Sequence, residues 1–305
     1  MRHIGTGGPF ALALAGGLAF GGAAQAVTFD AIQIFGNSFS DTGAGFVLTD
    51  GGTAASYLAE AFGNPVVLPD DPNPGSRSIN FAESGARVDV GGENRPTSLT
   101  DQVADYVGKV ESGAATFDPA STLFFLSGGL NDHEQAPAEE VTDAYRGQVA
   151  DLVGLGARYI QIALLPREVP AFTDSADFLN PAYRALVPEL DATYSDVSVT
   201  LSEWGTYYDD IILNPDEYGF TNVTDPCRTG GFGGDAPVEV CATPESYFYY
   251  FIVHPSDAAH RVVADRLYED TLAMPAMPAP VPLPASGLLL LAGLGILGAA
   301  RRTSA

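Results

Sequence analysis

Short apolar runs that end in small polar residues alternate along this chain with segments of helical periodicity. Runs of this length rich in Val, Ile, Phe and Tyr are typical of buried strands. The predicted strands are 31–35, 78–81, 122–126, 159–164 and 197–201, and the predicted helices are 54–62, 99–110, 141–155, 181–194 and 258–272. This alternation predicts an α/β fold whose parallel sheet is covered on both faces, with function at the carboxyl ends of its strands. Segment 219–247 shows neither periodicity and is predicted to be an irregular loop.

The first 26 residues have the pattern of a secretory signal peptide. A basic start is followed by the apolar stretch 10–20, and Ala24-Gln25-Ala26 has the small-x-small form that signal peptidase cleaves. We expect cleavage after Ala26. A transmembrane anchor is the weaker interpretation, because the apolar run is short and is interrupted by two glycine pairs.

The other end combines a proline-rich segment, an apolar segment and a basic pair. Residues 273–284 contain five prolines and are predicted to be a linker, and 285–305 form an apolar helix that closes on Arg301 and Arg302. The sequence Val-Pro-Leu-Pro-Ala, the apolar helix and the arginine pair together resemble the VPLPA variant of the PEP-CTERM sorting signal of Gram-negative bacteria. The resemblance implies an exosortase-like processing partner and a periplasmic, cell-surface or extracellular location. One domain, 27–272, remains between the two ends.

The formal net charge is −24, from 14 basic and 38 acidic residues. So negative a surface excludes nucleic acid as an expected partner and favours solubility. A membrane is an expected partner only through the uncleaved tail. The chain has two cysteines, Cys227 and Cys241, and in an exported protein we expect them to form a disulfide. A metal site is the weaker interpretation, because no Cys-x-x-Cys or histidine pair accompanies them.

Residues 35–43, Phe-Gly-Asn-Ser-Phe-Ser-Asp-Thr-Gly, come directly after the first predicted strand. The spacing predicts that the chain turns sharply at Gly36 and presents the hydroxyl of Ser38 outward. A serine held in this way can attack a carbonyl if a base and oxyanion donors are near it. Similar Gly/Asn/Ser/Asp runs are also common in ordinary turns.

Four histidines limit the choice of base. His3 leaves with the signal peptide, and His133 has no evident orienting partner. His254 lies in a loop between an aromatic run and the last predicted helix, whereas His260 lies within that helix. His254 and His260 therefore remain as candidates for the base.

Four separated blocks in this order resemble the SGNH, or GDSL, family of serine esterases and lipases. They are residues 36–43 (GNSFSDTG), 80–86 (NFAESGA), 129–132 (GLND) and 254–256 (HPS). Stretches 98–103 and 218–227 resemble the branch that contains secreted lipases and acyltransferases. The resemblance implies a flavodoxin-like three-layer α/β/α sandwich and catalysis by Ser38 and His254 without a cofactor or metal. It further implies an oxyanion hole made by the backbone N–H groups of Ser38 and Gly85 and by the side chain of Asn131.

Two positions depart from the family pattern. Asn37 replaces the usual Asp beside the nucleophile, a change we expect to be mild. Phe251 stands three residues before His254, where the family has the Asp of its triad. A dyad in which a backbone carbonyl orients His254 is therefore one expectation, and a weakened or inactive site is another. Asp257 and His260 have the family's Asp-x-x-His spacing and form an alternative acid and base pair.

The sequence thus predicts an exported serine hydrolase that cleaves carboxylic esters through an acyl-Ser38 intermediate. Short-chain esters, lipids and acetylated glycans all remain open as substrates, and transfer of the acyl group to another acceptor remains open as the second step. The alternative is a non-catalytic surface or matrix protein of the same fold that binds extracellular polysaccharide, which Phe251 and the sorting tail favour.

Overall fold

The computed structural model describes residues 27–89, 97–132, 136–231 and 237–277. The predicted signal peptide, residues 278–284 of the linker, the sorting helix and His133 lie outside these ranges.

The centre of the molecule is a four-stranded parallel sheet of order β1-β2-β3-β4. Its strands are β1 (Ala31–Gly36), β2 (Thr122–Ser127), β3 (Tyr159–Ala163) and β4 (Ser198–Ser202). Every residue of β1, β2 and β3 is buried, as expected of strands covered on both faces. This burial explains why these strands appear in the sequence as continuous apolar runs.

The predicted strand 78–81 is reduced to two isolated bridges, Ile34 to Asn80 and Val67 to Ile79, both parallel. This segment lies on the edge of β1 opposite β2. The chain therefore moves outward from β1 to this segment and then crosses back to β2. Loops that follow β1 and β2 diverge at such a switch point, where α/β sheets bind their ligands.

The helices form two layers. Their bounds are α1 (Ala54–Ala61), α2 (Leu99–Glu111), α3 (Ala138–Leu155), α4 (Thr173–Thr193), α5 (Trp204–Leu213) and α6 (Asp257–Leu272). Helices α1 and α5 pack against α6, whereas α3 packs between α2 and α4. The predicted three-layer α/β/α architecture is confirmed. Within the described ranges, no helix combines the length and apolar character needed to cross a membrane.

The prediction of an irregular loop over 219–247 is wrong. This region and the residues after it form a second sheet of order β6-β5-β7-β8, made of β5 (Asn222–Thr229), β6 (Glu239–Val240), β7 (Tyr247–Phe251) and β8 (His254–Pro255). A disulfide between Cys227 and Cys241 closes the β5–β6 hairpin. Strand β5 is mostly solvent-accessible, so its sequence lacks the apolar pattern that marks a buried strand.

Two helices differ from the sequence prediction. Helix α4 begins at Thr173 rather than at position 181, and it runs through Pro181 and Pro188. Helix α5 was not predicted, although its aromatic residues Trp204, Tyr207 and Tyr208 are buried.

Candidate active site

The turn that carries Ser38 is fixed at its base by Gly36, the last residue of β1. The side-chain amide of Gln102 accepts a hydrogen bond from the Gly36 N–H at 2.8 Å and donates one to the Gly36 carbonyl at 2.9 Å. A Cβ at position 36 would lie 2.3 Å from Ser127 Oγ. Gly36 is therefore required by close packing against β2, whereas the sequence suggested a role in the sharp turn.

Asn37 holds the turn from inside. Its Nδ2 donates to the Ser127 carbonyl at 3.0 Å, and its Oδ1 accepts from the Phe39 N–H at 3.2 Å. The side chain is fully buried. The donor to Ser127 is one that the Asp usual at this position would lack when ionised.

Asp41 and Asn80 tie the Ser38 turn to the loop that carries Gly85. The Asp41 carboxylate accepts from the N–H of Ser84 at 2.8 Å and of Gly43 at 2.8 Å. Asn80 Nδ2 donates to the Ser40 carbonyl at 2.7 Å. Both residues belong to the sequence blocks described above. Their role in joining the two loops could not be predicted, because it depends on backbone groups about forty residues away.

Asn131 is joined by a hydrogen bond to the residue that follows Gly85. Gly85 is exposed and has a φ of 86°, a left-handed conformation that suits glycine. Asn131 Nδ2 donates one hydrogen bond to the carbonyl of Ala86 at 2.9 Å. Since a primary amide has two N–H groups, the second can serve another acceptor.

Asp132, next to Asn131, anchors the same loop from below. Its buried carboxylate accepts from the Val88 N–H at 3.0 Å. Burial raises the pKa of Asp132 to about 6, against the lowering effect of this hydrogen bond.

His254 is buried against the residue that follows Ser38. The rings of His254 and Phe39 lie 5.6 Å apart between centroids. The Nδ1 of His254 is 3.2 Å from the backbone carbonyl of Phe251. Burial lowers the pKa of His254 to about 4, although the hydrogen bond to Phe251 acts in the opposite direction. The imidazole is therefore neutral at pH 7. Because a carbonyl can only accept, its proton is on Nδ1 and the lone pair is on Nε2.

His260 and Asp257 have separate partners. The His260 Nδ1 accepts from the Ala54 N–H at 3.2 Å and lies 2.7 Å from the Tyr208 hydroxyl. Its ring is almost completely buried, and burial lowers its pKa to about 3.

Asp257, the other member of this alternative pair, binds the hydroxyl of Tyr57 and, at 2.8 Å, Nε of Arg261. Burial would raise the pKa of Asp257, but these hydrogen bonds outweigh it and leave the pKa below its ordinary value.

Phe39 lies at the centre of an aromatic cluster beneath the site. Its ring makes edge contacts with the rings of Phe172, Trp204 and Tyr208 at centroid distances of 5.4 to 5.8 Å. This packing fixes the backbone on the carboxyl side of Ser38, which is itself half-buried. In the described part of the chain, no group of three His, Cys, Asp or Glu side chains is arranged to hold a metal ion.

Comparisons with known proteins place these features in a family context. The sequence model of the GDSL-like Lipase/Acylhydrolase family matches residues 32–267. The chain is 27% identical over 252 residues to the thermolabile hemolysin of Vibrio parahaemolyticus, a match that covers 74% of this chain and 55% of the hemolysin. It is 29% identical over 156 residues to the GDSL esterase/lipase At1g29660 of Arabidopsis thaliana, covering 43% of this chain and 42% of that protein. The matches thus span about half the length of these relatives.

A solved structure with a similar chain course is the acetylxylan esterase Axe2 of Geobacillus stearothermophilus, in a catalytic mutant. It is 13% identical, with a TM-score of 0.45, and the match covers 83% of this chain and 99% of Axe2.

Proposed function

This chain belongs to the GDSL-like lipase/acylhydrolase family, and we propose that it hydrolyses carboxylic esters through an acyl-enzyme formed on Ser38. The hydrogen bond between His254 Nδ1 and the Phe251 carbonyl is the observation that carries this proposal. It gives the imidazole the tautomer that a general base needs, although no carboxylate stands at position 251.

In the proposed first step, His254 Nε2 takes the proton of the Ser38 hydroxyl while Ser38 Oγ bonds to the ester carbonyl carbon. The C–O bond to the alcohol then breaks, and the alcohol leaves with the proton held by Nε2. In the second step a water molecule gives a proton to Nε2 and its oxygen bonds to the acyl carbon. Ser38 Oγ leaves and recovers the proton, which releases the carboxylic acid.

The oxyanion that forms in each step needs fixed donors. We assign this role to the backbone N–H groups of Ser38 and Gly85 and to the second N–H of Asn131. The hydrogen bond from Asn131 to Ala86 supports the assignment, because it fixes the amide one residue from Gly85. The Asp41 contact with Ser84 supports it from the other side.

The carbonyl of Phe251 is neutral, so it selects the tautomer of His254 but stabilises the imidazolium less than a carboxylate does. Loss of the triad carboxylate costs ~10⁴ in kcat in serine proteases, largely because the tautomer is wrong. Since the tautomer is correct here, we expect a smaller loss and a working but slower enzyme.

We also propose that the protein acts outside the cytoplasm. The signal-like sequence of residues 1–26 and the sorting-like tail support this location. The disulfide between Cys227 and Cys241 supports it independently, since structural disulfides persist in oxidising compartments.

A fluorophosphonate probe tests the catalytic proposal on the full chain. We expect labelling of the wild type and hydrolysis of p-nitrophenyl acetate, and neither reaction in the Ser38→Ala variant. His254→Ala should lose at least ~10³-fold in labelling rate, since the base is gone. His260→Asn, which keeps an acceptor for the Ala54 N–H, is the matched control and should retain labelling.

Loss of labelling in His260→Asn alone would move the role of base to His260. A folded wild type that neither labels nor hydrolyses esters would instead identify a non-catalytic member of the fold, and binding to extracellular polysaccharide would then be the function to measure.

A further inference from the structure

The carbonyl that orients His254 belongs to a peptide group in a strained turn. This peptide joins Phe251 to Ile252, and the φ of Ile252 is 54°. In the described residues, Ile252 is the one non-glycine residue with a positive φ. A β-branched side chain strongly disfavours this conformation. Ile252 is 48% exposed, so burial of its side chain does little to offset the strain.

The strain and the carbonyl direction are coupled. Rotation of the Phe251–Ile252 peptide plane changes the ψ of Phe251 and the φ of Ile252 together. A rotation that returned Ile252 to negative φ would turn the Phe251 carbonyl away from His254 Nδ1. The hydrogen bond that selects the His254 tautomer therefore lasts only while neighbouring structure holds this peptide in place.

Arg228 is the neighbour that can restrain the Phe251–Ile252 peptide. Its guanidinium carbon lies 4.7 Å from the centre of the Phe251 ring, within the range of a cation–π contact. Arg228 is also the β5 residue that pairs with Phe251 of β7, and Phe251 in turn pairs with His254 of β8. One line of three paired residues thus runs from Arg228 to His254.

The position of Arg228 is fixed by the β5–β6 hairpin. Its neighbour Cys227 is buried and bonded to Cys241, and the Cys241 N–H donates to the Cys227 carbonyl at 2.8 Å. Arg228 itself pairs with Val240 of β6. The cation over the Phe251 ring is therefore part of a covalently closed hairpin.

We propose that Arg228 is a positioning residue for catalysis: clamped by the disulfide-closed hairpin, it holds the Phe251–Ile252 peptide in the strained orientation that aims the Phe251 carbonyl at His254. This inference rests on the proposed role of His254 as base. Arg228 acts through Phe251 and does not touch the reacting atoms. The hairpin thereby takes over the orienting function that a carboxylate at position 251 performs in relatives with a triad.

The test compares Arg228→Met with Arg266→Met in the full chain. Arg266 makes a cation–π contact of the same kind, 4.1 Å from the centre of the Tyr207 ring, on the α5–α6 side of the molecule. The measurements are kcat and KM for a soluble p-nitrophenyl ester, together with the rate of fluorophosphonate labelling, which reports attack by Ser38 alone. Circular dichroism establishes that each variant is folded.

We expect Arg228→Met to lower kcat and the labelling rate ~10-fold with an unchanged KM, because ground-state binding does not need the His254 tautomer. Arg266→Met should keep wild-type kinetics. Arg228→Lys keeps a cation above the ring, so its kcat and labelling rate should lie between those of Arg228→Met and the wild type.

The decisive variant adds Ile252→Asn to Arg228→Met. Asn enters the left-handed region readily, so the peptide no longer gains by rotating and most of the lost kcat should return. A general structural role of Arg228 predicts no such rescue. Wild-type kcat in Arg228→Met, or a loss that Ile252→Asn does not restore, would overturn the inference. If His254→Ala itself retained labelling, the proposed function would fail instead.

Discussion

At His254, burial and the lack of a neighbouring carboxylate both keep the pKa of the imidazole low. Burial lowers the pKa of the imidazole to about 4, and the neutral Phe251 carbonyl offers little compensation. A base must be unprotonated to take the serine proton. We therefore expect fluorophosphonate labelling of Ser38 to fall on the acid side with a midpoint near pH 4, well below the value of about 6.5 for an ordinary histidine. A midpoint at or above pH 6.5 would mean that an anionic group stabilises the imidazolium.

Asn37 departs from the family pattern, and the structure shows a reason to retain it. Asn37→Asp would place a carboxylate oxygen against the Ser127 carbonyl, where Nδ2 now donates at 3.0 Å. We expect the free energy of unfolding to fall by ~1–3 kcal/mol, the cost of losing a buried donor. Urea unfolding measures it, and Asn73→Asp at an exposed site is the control. An unchanged midpoint would show that the turn adapts to the carboxylate.

The candidate catalytic residues could be proposed from the sequence because local sequence carries their signal. Ser38 follows an apolar strand, and His254 lies between an aromatic run and a helix. Their supports could not be predicted. The amide of Gln102 binds the backbone of Gly36 across 66 positions, and Asn131 reaches Ala86 across 45. Such contacts depend on the folded arrangement of loops, which side-chain type alone does not reveal.

Among the elements, burial decides which ones the sequence predicts. Strands β1 to β3 are wholly buried, so their apolar runs are clear. The start of α4 was misplaced because Pro181 looked like a first helical residue. Pro181 and Pro188 have no N–H, so the carbonyls four residues earlier, those of Asp177 and Arg184, lack their usual helical donors. All four residues are exposed. Water can satisfy carbonyls on that face, so the helix continues through both prolines.

The β5–β6 hairpin of the second sheet depends on its disulfide more than on a core. Strand β5 has one buried residue, Cys227, and β6 is exposed. Replacing both cysteines by serine should lower the free energy of unfolding by ~3 kcal/mol, as expected for a loop with a sequence separation of 14. The comparison is urea unfolding of the wild type and of the double variant, each with and without a reductant. Reductant should give the wild type the stability of the double variant and leave that variant unchanged, whereas equal stability of all four samples would refute the dependence.

For the whole molecule, four groups whose pKa values are shifted by burial make opposing contributions to the pH dependence of stability. Burial raises the pKa values of Asp132 and Asp209 to about 6 and lowers those of His254 and His260 to about 4 and about 3. Between pH 6 and pH 4 the folded state therefore binds protons at the two Asp residues, while the unfolded state binds them at the two His residues. As the pH falls, protonation of the two Asp residues stabilises the folded state, whereas protonation of the two His residues stabilises the unfolded state. The two effects nearly cancel, so the four groups together leave the free energy of unfolding almost constant between pH 6 and pH 4. Below pH 4 the unfolded state also protonates both Asp residues, so their compensation ends, and His260, still neutral in the folded state, lowers stability until about pH 3.

Asp132→Asn breaks this balance and tests it. The amide still accepts from the Val88 N–H but carries no charge, so at pH 7 the variant avoids the cost of a buried carboxylate. A shift from 3.8 to about 6 corresponds to at most ~3 kcal/mol of added stability at pH 7. The gain should shrink as pH falls through 6 and vanish near pH 4, where wild-type Asp132 is itself protonated. Over that window the variant should lose ~1.4 kcal/mol per pH unit relative to the wild type. Urea unfolding at pH 7, 6, 5 and 4 measures both curves, and a gain independent of pH would show that Asp132 is not the group that titrates.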